Sequence, residues 1–209
     1  MDIIAAFGQL ANGKDTICDY LAEALNKGIK KKSSKWERTA FANAVKDVFC
    51  SAFNVDRAFI EEWKRNPENP PGMIMPVRQS LQMIGDGFRK VKPDIWIDIA
   101  LRKDNNKIIS DGRYINEAKA VKEKGGINIL IYREGFLNDD KNPSEAELKP
   151  LAEYCKDTLA DGKIVHSTLV RYPDGLNQFD LFLRNDGKVE DLYAKIDKLV
   201  IPFINSKLK

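Results

Sequence analysis

The chain has 209 residues, of which 43% are apolar and 31% are charged. Its 34 basic and 31 acidic residues leave a net charge of only +3, which argues against a nucleic-acid polymer as the partner. No apolar stretch approaches the roughly 20 residues that a membrane span needs, so we predict no membrane partner either. This length allows one large domain with a real hydrophobic core.

The cysteines indicate a reducing compartment. Cys18, Cys50 and Cys155 lie far apart without C-x-x-C spacing, and an odd number leaves one unpaired in any disulfide scheme. An acid, Asp2, lies before the first apolar run and no basic segment precedes that run, so no signal peptide is predicted. We therefore expect a cytoplasmic protein with buried thiols.

In chain order, the first predicted elements are a buried strand at residues 2–7 and a helix at about 14–25, where apolar residues recur at helical spacing. The lysine-rich stretch 27–35 reads as a solvated connection, because no aromatic residues alternate with the lysines. Three prolines make residues 66–72 a loop. Further helices are predicted at 43–53, 76–87 and 93–103.

The second half of the chain contains a βαβ pattern, with a strand at 107–111, a helix at about 116–124 and a strand at 127–132. A polar excursion follows at about 133–166, including a helical stretch at 144–159. The chain closes with a strand at 178–183 and an amphipathic helix from 189 to about 205. About five strands alternating with helices predict a parallel sheet covered by helices on both faces.

The stretch between the first strand and the first helix, FGQLANGKDT, has the pattern G-x-x-x-x-G-K. In this context the glycines let backbone N–H groups surround phosphate oxygens, and the helix N-terminus adds partial positive charge. The sequence therefore predicts a P-loop NTPase sandwich of three layers, although an ordinary strand-to-helix turn is the alternative. The candidate ATP-binding residues are Gly8, Leu10, Ala11, Asn12, Gly13, Lys14, Asp15 and Thr16.

Within this pattern, Lys14 would contact the β- and γ-phosphates of the nucleotide. Asp15 stands where Ser or Thr usually supplies a hydroxyl to Mg²⁺, and its carboxylate could hold the ion directly or through water. Thr16 offers a hydroxyl one position later, and Asp111 ends an apolar strand where P-loop proteins place an acid near the metal. A turn or capping role is the alternative for Asp111.

Arginines at other positions could bind phosphate groups. Arg113 could do so or form an ion pair with Glu117. Arg78 and Gln82 share one helix face and could contact a monophosphate and a base edge, or lie on the surface. Arg133 opens the polar excursion, where it could reach the transferring group or remain solvated.

His166, the only histidine, is assigned to a structural or lid role rather than to catalysis. A monophosphate has its second pKa near 6, so it is already a nucleophile at neutral pH and needs no general base. The catalytic candidates are thus Lys14, Arg78, Asp111, Arg113 and Arg133.

Taken in order, the motifs resemble the deoxynucleoside monophosphate kinases of bacteriophages and related proteins, within the P-loop nucleoside monophosphate kinase group. The resemblance covers nearly the whole chain. Its blocks are G-x-x-x-x-G-K-D-T at 8–16, V-R-x-x-L-Q-x-I-G at 77–85, P-D-x-W at 93–96, S-D-x-R-x-x-N-E at 110–117, A-x-x-x-K-x-x-G-G at 118–126 and N-D-G-x-x-x-x-L at 185–192.

The resemblance implies transfer of the γ-phosphoryl group of ATP, with Mg²⁺, to a deoxynucleoside monophosphate. It implies one kinase domain over residues 1–209, with an acceptor-binding region at about 40–104 and a lid at about 133–166. The partners would be small nucleotides, in the host cytoplasm if a phage encodes the protein, and both a monomer and a homodimer remain open. The substrate-binding candidates are Phe41, Lys46, Arg78, Gln82, Trp96 and Arg113.

Two other functions remain open at this stage. A kinase of the same fold could act on a phosphorylated compound that is not a nucleotide, such as phosphomevalonate. Alternatively, the chain could be a switch ATPase that hydrolyses ATP without any acceptor. A base-stacking aromatic near Arg78, such as Phe41, Phe88 or Trp96, would favour a nucleotide.

Overall fold

The computed structural model describes residues 2–31, 34–135, 146–164 and 172–207. A 3-10 turn at Leu176–Gln178 and a π-helical turn at Ile196–Val200 accompany the regular elements. These elements are β1 (Ile3–Phe7), α1 (Lys14–Asn26), β2 (Glu37–Thr39), α2 (Asn43–Phe53), α3 (Arg57–Trp63), α4 (Val77–Val91), α5 (Ile95–Ala100), β3 (Lys107–Gly112), α6 (Ile115–Glu123), β4 (Ile127–Tyr132), α7 (Lys149–Thr158), β5 (Gly162–Lys163), β6 (Leu181–Arg184), α8 (Val189–Lys195) and α9 (Ile201–Lys207).

The chain divides into two compact units. The first comprises Met1–Thr39 and Asp104–Lys209 and contains the sheet, and the second comprises Ala40–Lys103 and contains α2 to α5. The second unit spans nearly the same residues as the acceptor-binding region predicted at 40–104. That role, and the grouping of both units into one kinase domain, stay predictions.

The predicted α/β fold with a mostly parallel sheet flanked by helices is confirmed. Within the described ranges the sheet has six strands in the order β2-β3-β1-β4-β6-β5. All neighbours run parallel except β5 and β6, which pair antiparallel. At the end of the central strand, Phe7 pairs with Gly112 of β3 and with Leu130 of β4. The carboxyl ends of β1, β3 and β4 therefore meet at one edge of the sheet.

The sequence of β1 explains its central position, because its five residues are all apolar and all buried, as expected of a strand covered on both faces. Ile4 and Ala6 belong to a core with Ile17 and Leu21 of α1 and with the C-terminal helices. Phe7 packs edge-on against Phe179, with ring centroids 5.4 Å apart. Helices α6 and α7 pack on β4. Helices thus cover both faces of the sheet.

The prediction differs from the structure at three places in the first unit. The last long strand begins at Leu181 instead of 178, because residues 176–178 form the 3-10 turn. The two-residue strand β5 was not predicted. The C-terminal helix runs through a π-helical turn before α9, where Pro202 lacks the N–H that would continue the ordinary hydrogen-bonding pattern.

The second unit has its own apolar cluster around Phe49, Ile60 and Val77. Helix α3 was not predicted, and its start is capped by Asp56, whose carboxylate accepts a hydrogen bond from the backbone N–H of Phe59 at 2.9 Å. None of the helices in the described part of the chain combines the length and apolar character that crossing a bilayer requires.

Candidate active site

The glycine-rich loop fills residues 8–13, between the end of β1 and the start of α1. Gly8 has φ +147° and Gly13 has φ +93°, values that side chains disfavour. A Cβ atom at Gly8 would lie 2.5 Å from the carbonyl O of Ile131, and one at Gly13 would lie 2.3 Å from Asn185 Nδ2. Backbone geometry therefore favours glycine at both positions, and the close approach of strand β4 further requires it at Gly8.

Lys14 is almost completely buried and lies against the loop. Its Nζ donates hydrogen bonds to the carbonyl O of Gly8 at 2.7 Å and of Gln9 at 2.6 Å. The side chain is 6% exposed, so the ammonium group is held next to the loop backbone. This is the place from which the lysine of a P-loop reaches the β- and γ-phosphates.

Two asparagines fix the loop to the sheet. Asn12 Nδ2 donates to the carbonyl O of Ile131 in β4 at 3.0 Å, and Asn185 Nδ2 donates to the carbonyl O of Asn12 at 3.0 Å. Asn185 follows β6, and its own N–H donates to the carbonyl O of Tyr132 at 2.8 Å. The predicted ATP-binding residue Asn12 thus points its side chain at the sheet. Asn185 holds the loop through its hydrogen bond to Asn12, a role that the N-D-G motif at 185–187 did not predict.

Helix α1 begins directly after the loop, and its first turn offers N–H groups to a ligand. The N–H of Ile17 donates to the carbonyl O of Gly13 at 3.0 Å. The preceding helical N–H groups, those of residues 14–16, have no carbonyl four residues back within the helix. Together with the helix dipole they favour an anion at this end of α1.

The three metal-ligand candidates lie at the same edge of the first unit. Asp15 is in the first turn of α1 and its side chain is 80% exposed, with Oδ1 2.6 Å from Nη2 of Arg38. Thr16 is half-buried one position later, and Asp111 is half-buried near the end of β3. Arg38, which contacts Asp15 from strand β2, was not singled out from the sequence.

The end of β3 lies beside the loop, because the N–H of Gly8 donates to the carbonyl O of Gly112 at 3.3 Å. The next residue, Arg113, is half-buried. The buried carboxylate of Glu117 accepts hydrogen bonds from the N–H groups of Arg113 at 2.8 Å and Tyr114 at 3.1 Å. Glu117 therefore caps the start of α6 by accepting from the backbone N–H of Arg113. This hydrogen bond differs from the ion pair between the two side chains that was considered as an alternative role for Arg113.

Arg133 also reaches the loop. Its Nη1 lies 3.5 Å from the carbonyl O of Ala11, to which it donates a weak hydrogen bond. The structure thus brings the glycine-rich loop, Lys14, Asp111 and Arg133 to one edge of the sheet in the first unit.

The remaining polar candidates belong to the second unit. In α2, Nζ of Lys46 lies 3.2 Å from the carboxylate Oε1 of Glu61 in α3. Arg78 and Gln82 lie in α4, one turn apart, and both are half-buried. The helix predicted for the pair is therefore present, while their roles stay predictions.

The two aromatic substrate candidates are buried in this conformation. Phe41 and Trp96 are each 2% exposed. Trp96 Nε1 donates to the carbonyl O of Gly85 at 3.0 Å. The ring centroids of Trp96 and Phe88 are 5.4 Å apart. Phe88 is 42% exposed and therefore presents more of its ring to a ligand than either of them. Substrate binding by Phe41 and Trp96 stays a prediction.

His166 lies outside the described residues, as do residues 136–145 and 165 of the lid predicted at 133–166. Residues 133–135 and 146–164 are described, and they include Arg133 and helix α7.

A parallel sheet with a glycine-rich loop and a buried lysine between its first strand and first helix defines a P-loop protein, the class to which the P-loop kinases belong. The chain is 30% identical over 175 residues to a protein of Acanthamoeba polyphaga mimivirus named "Putative deoxynucleotide monophosphate kinase", in an alignment that spans 74% of this chain and 86% of the viral one. The chain belongs to the family of that protein. No protein-family model matches the sequence.

Two solved kinase structures are also similar to the chain. Shikimate kinase from Acinetobacter baumannii has a TM-score of 0.47 with 14% identity, covering 99% of this chain and 95% of its own. Dephospho-CoA kinase from Campylobacter jejuni has a TM-score of 0.45 with 14% identity, covering 100% of each chain. Because both TM-scores are below 0.5, the fold assignment depends on the strand order and the loop geometry described above.

Proposed function

We propose that the protein is a deoxynucleoside monophosphate kinase, which transfers the γ-phosphoryl group of ATP to a deoxynucleoside monophosphate and releases ADP. The observation that carries this proposal is Lys14, held with its ammonium group on the carbonyls of Gly8 and Gln9 in a loop of the P-loop pattern. The name of the mimivirus relative supports the choice of acceptor.

On the donor side, N–H groups of residues 8–16 would bind the phosphates of ATP, with Lys14 at the β- and γ-phosphates. Lys14 needs no long movement for this role, because the loop carbonyls already hold it beside those N–H groups. Arg133 would add positive charge near the same phosphates, since its guanidinium is 3.5 Å from the carbonyl O of Ala11.

The residues proposed to hold Mg²⁺ fit a hard cation. Asp15, Thr16 and Asp111 all supply oxygen atoms, and the Asp15 side chain is 80% exposed. Mg²⁺ usually keeps several waters and takes further ligands from substrate phosphates, so few protein ligands are needed. When bound, the ion would neutralise charge on the transferring phosphoryl group.

The reaction needs positioning more than it needs acid–base chemistry. An oxygen of the acceptor monophosphate attacks the γ-phosphorus, and the bond between that phosphorus and the bridging oxygen of ADP breaks. Because a monophosphate has a second pKa near 6, its oxygen attacks without a general base. Lys14, Arg113 and Arg133 would then act by holding the phosphates in line and by offsetting their charge.

On the acceptor side, we propose that Arg78 binds the monophosphate, that Gln82 contacts the base and that Lys46 adds positive charge, and separately that Arg113 of the first unit binds a phosphate group. The sequence resemblance implies the roles of Arg78, Arg113 and Lys46, whereas the role of Gln82 comes from its position four residues after Arg78. For Arg78 and Gln82 they are supported by the shared helix face in α4, where residues four positions apart are neighbours. We further propose that ATP and the acceptor are the partners of the protein and that it acts in the cytoplasm.

The experiment that tests this function is ADP release from ATP with Mg²⁺, measured with each deoxy- and ribonucleoside monophosphate in turn. We expect turnover only with certain deoxynucleotides and its loss in Lys14→Ala. Lys122→Gln, which removes an ion pair with Asp180 before β6, is the matched control and should retain turnover. Hydrolysis independent of any acceptor would instead indicate a switch ATPase. Turnover with a phosphorylated compound that is not a nucleotide would indicate another kinase of this fold.

A further inference from the structure

The carboxylate of Asp15 is bound by an arginine from a neighbouring strand. Arg38 in β2 uses its two terminal nitrogens for two acids of α1, with Nη2 at 2.6 Å from Asp15 Oδ1 and Nη1 bonded to Asp19 Oδ1. The side chain of Arg38 is 32% exposed, whereas those of Asp15 and Asp19 are 80% and 64% exposed. One partly buried guanidinium therefore links the first two turns of α1 to the sheet.

This arrangement addresses a charge problem in the loop. Asp15 directly follows Lys14, in the position where Ser or Thr is usual, so a negative charge stands beside the site proposed for a triphosphate. An uncompensated carboxylate close to an anionic ligand weakens binding, and the effect is largest where solvent screening is incomplete. Arg38 supplies a compensating positive charge within hydrogen-bonding distance.

The same contact also fixes the direction of the carboxylate. An ionised carboxylate has two oxygens and about four acceptor sites, and the contact with Arg38 uses only Oδ1 of Asp15. Because the guanidinium is planar and is held at its other end by Asp19, it restrains Asp15 more closely than a single flexible cation would. The second oxygen of Asp15 is left to face solvent or a hydrated metal ion.

We propose that Arg38 is a positioning residue of the phosphate-binding loop, which neutralises and orients Asp15 so that an aspartate is compatible with triphosphate binding at this position. The inference rests on the proposed function, because it assumes that the loop binds a nucleotide. It assigns Arg38 no contact with the reacting atoms.

The test is the dissociation constant of Mg-ATP, measured by isothermal titration calorimetry on the full chain. Arg38→Gln should raise this constant about fivefold to tenfold. The double variant Arg38→Gln with Asp15→Ser should return to within about twofold of the wild type, because the change removes the carboxylate that needs compensation and supplies the hydroxyl that P-loops usually present to Mg²⁺ in its place. Arg38→Lys, which keeps the charge but not the planar fork, should lie between them, and Lys122→Gln should match the wild type.

Salt and urea separate this role from a purely structural one. The difference between Arg38→Gln and the wild type should shrink as ionic strength rises from about 0.05 M to about 0.5 M, because salt screens exposed charges. Urea unfolding of each variant should show that the loss of affinity in Arg38→Gln exceeds what partial unfolding would cause.

Three results would overturn the inference. Tighter Mg-ATP binding in Arg38→Gln would mean that Arg38 competes with the metal for Asp15. Weaker binding that the Asp15→Ser change does not restore would mean that Arg38 acts through the fold alone. Absence of nucleotide binding in the wild type would refute both the proposed function and this inference. That result can be told apart from the first two, because the first two require a wild type that binds Mg-ATP.

Discussion

Gly8→Ala should destabilise the first unit strongly, because the added methyl group meets the backbone of the neighbouring strand. The new Cβ would lie 2.5 Å from the carbonyl O of Ile131 in β4, which is closer than such atoms approach in folded proteins. Since Ile131 is a buried residue of a strand paired on both sides, the carbonyl cannot move without disturbing the sheet.

The expected magnitude has two parts. The backbone of Gly8 has φ +147°, and holding a residue with a side chain in such a sparsely populated region costs roughly 1–3 kcal/mol. An over-packed contact typically costs about 1–3 kcal/mol more. The free energy of unfolding should therefore fall by about 2–6 kcal/mol, a large part of the roughly 5–15 kcal/mol that stabilises a typical domain.

Gly28→Ala provides a matched control for this experiment. Gly28 has φ +84°, but a Cβ there would meet no atom of the described residues within 4 Å, so only a backbone cost of about 1–2 kcal/mol applies. Both changes also restrict the unfolded chain similarly. Urea unfolding followed by far-UV circular dichroism should place the midpoint of Gly8→Ala clearly below that of Gly28→Ala. Equal midpoints would refute the argument that the close approach to β4 requires glycine.

Three further predictions concern other parts of the structure. Asn185→Ala should weaken Mg-ATP binding about tenfold, because it removes the hydrogen-bond donor to the carbonyl O of Asn12 in the loop. An unchanged dissociation constant would show that the loop keeps its shape without this contact. Iodoacetamide at pH 8 should label half-buried Cys50 before the buried thiols of Cys18 and Cys155. Burial raises the pKa of Cys18, and it raises the pKa of Cys155 to about 12. Equal labelling of all three cysteines in folded protein would contradict this prediction. Hydrogen bonds from two lysines hold the pKa of Glu61 below its ordinary value of 4.5, so it stabilises the protein above that pH and loses this contribution as pH falls through the lowered pKa. The stability difference between the wild type and Glu61→Gln should therefore shrink on acidification, and a constant difference would show that Glu61 is not coupled to folding.

The elements with strong local signals were predictable from the sequence. Helix α2 has the predicted bounds, Asn43–Phe53, and β4 has the predicted bounds, Ile127–Tyr132. Helix α2 has apolar residues at helical spacing, and β4 is a short, mostly apolar run that is buried throughout, so local pattern and tertiary environment agree in both. The loop at residues 8–13 was also predictable, because its glycines and lysine have spacing that depends on backbone geometry.

Features that depend on pairing between distant segments were not predictable. Strand β5 has only two residues, Gly162–Lys163, and exists because β6 lies beside it, so no periodic pattern marks it. Arg38 contacts Asp15 only because β2 joins the sheet next to β3. Its sequence neighbours give no indication of this contact.

The sequence motifs predicted where residues lie along the backbone more reliably than they predicted where side chains point. Asn12 lies in the predicted ATP-binding loop, yet its amide bonds to the carbonyl O of Ile131. Trp96 was proposed to contact the substrate, yet it is 2% exposed. A sequence pattern shows which residue follows which, whereas the direction of a side chain is decided by packing with residues far along the chain.

The central claim is that the chain transfers the γ-phosphoryl group of ATP to a deoxynucleoside monophosphate. The most direct test is to incubate the protein with Mg²⁺, ATP labelled in its γ-phosphoryl group and each deoxynucleoside monophosphate, and then to separate the labelled products. The account predicts that the label appears in a deoxynucleoside diphosphate, and that Lys14→Ala abolishes this product. Label found only in inorganic phosphate, at a rate that no acceptor changes, would contradict it.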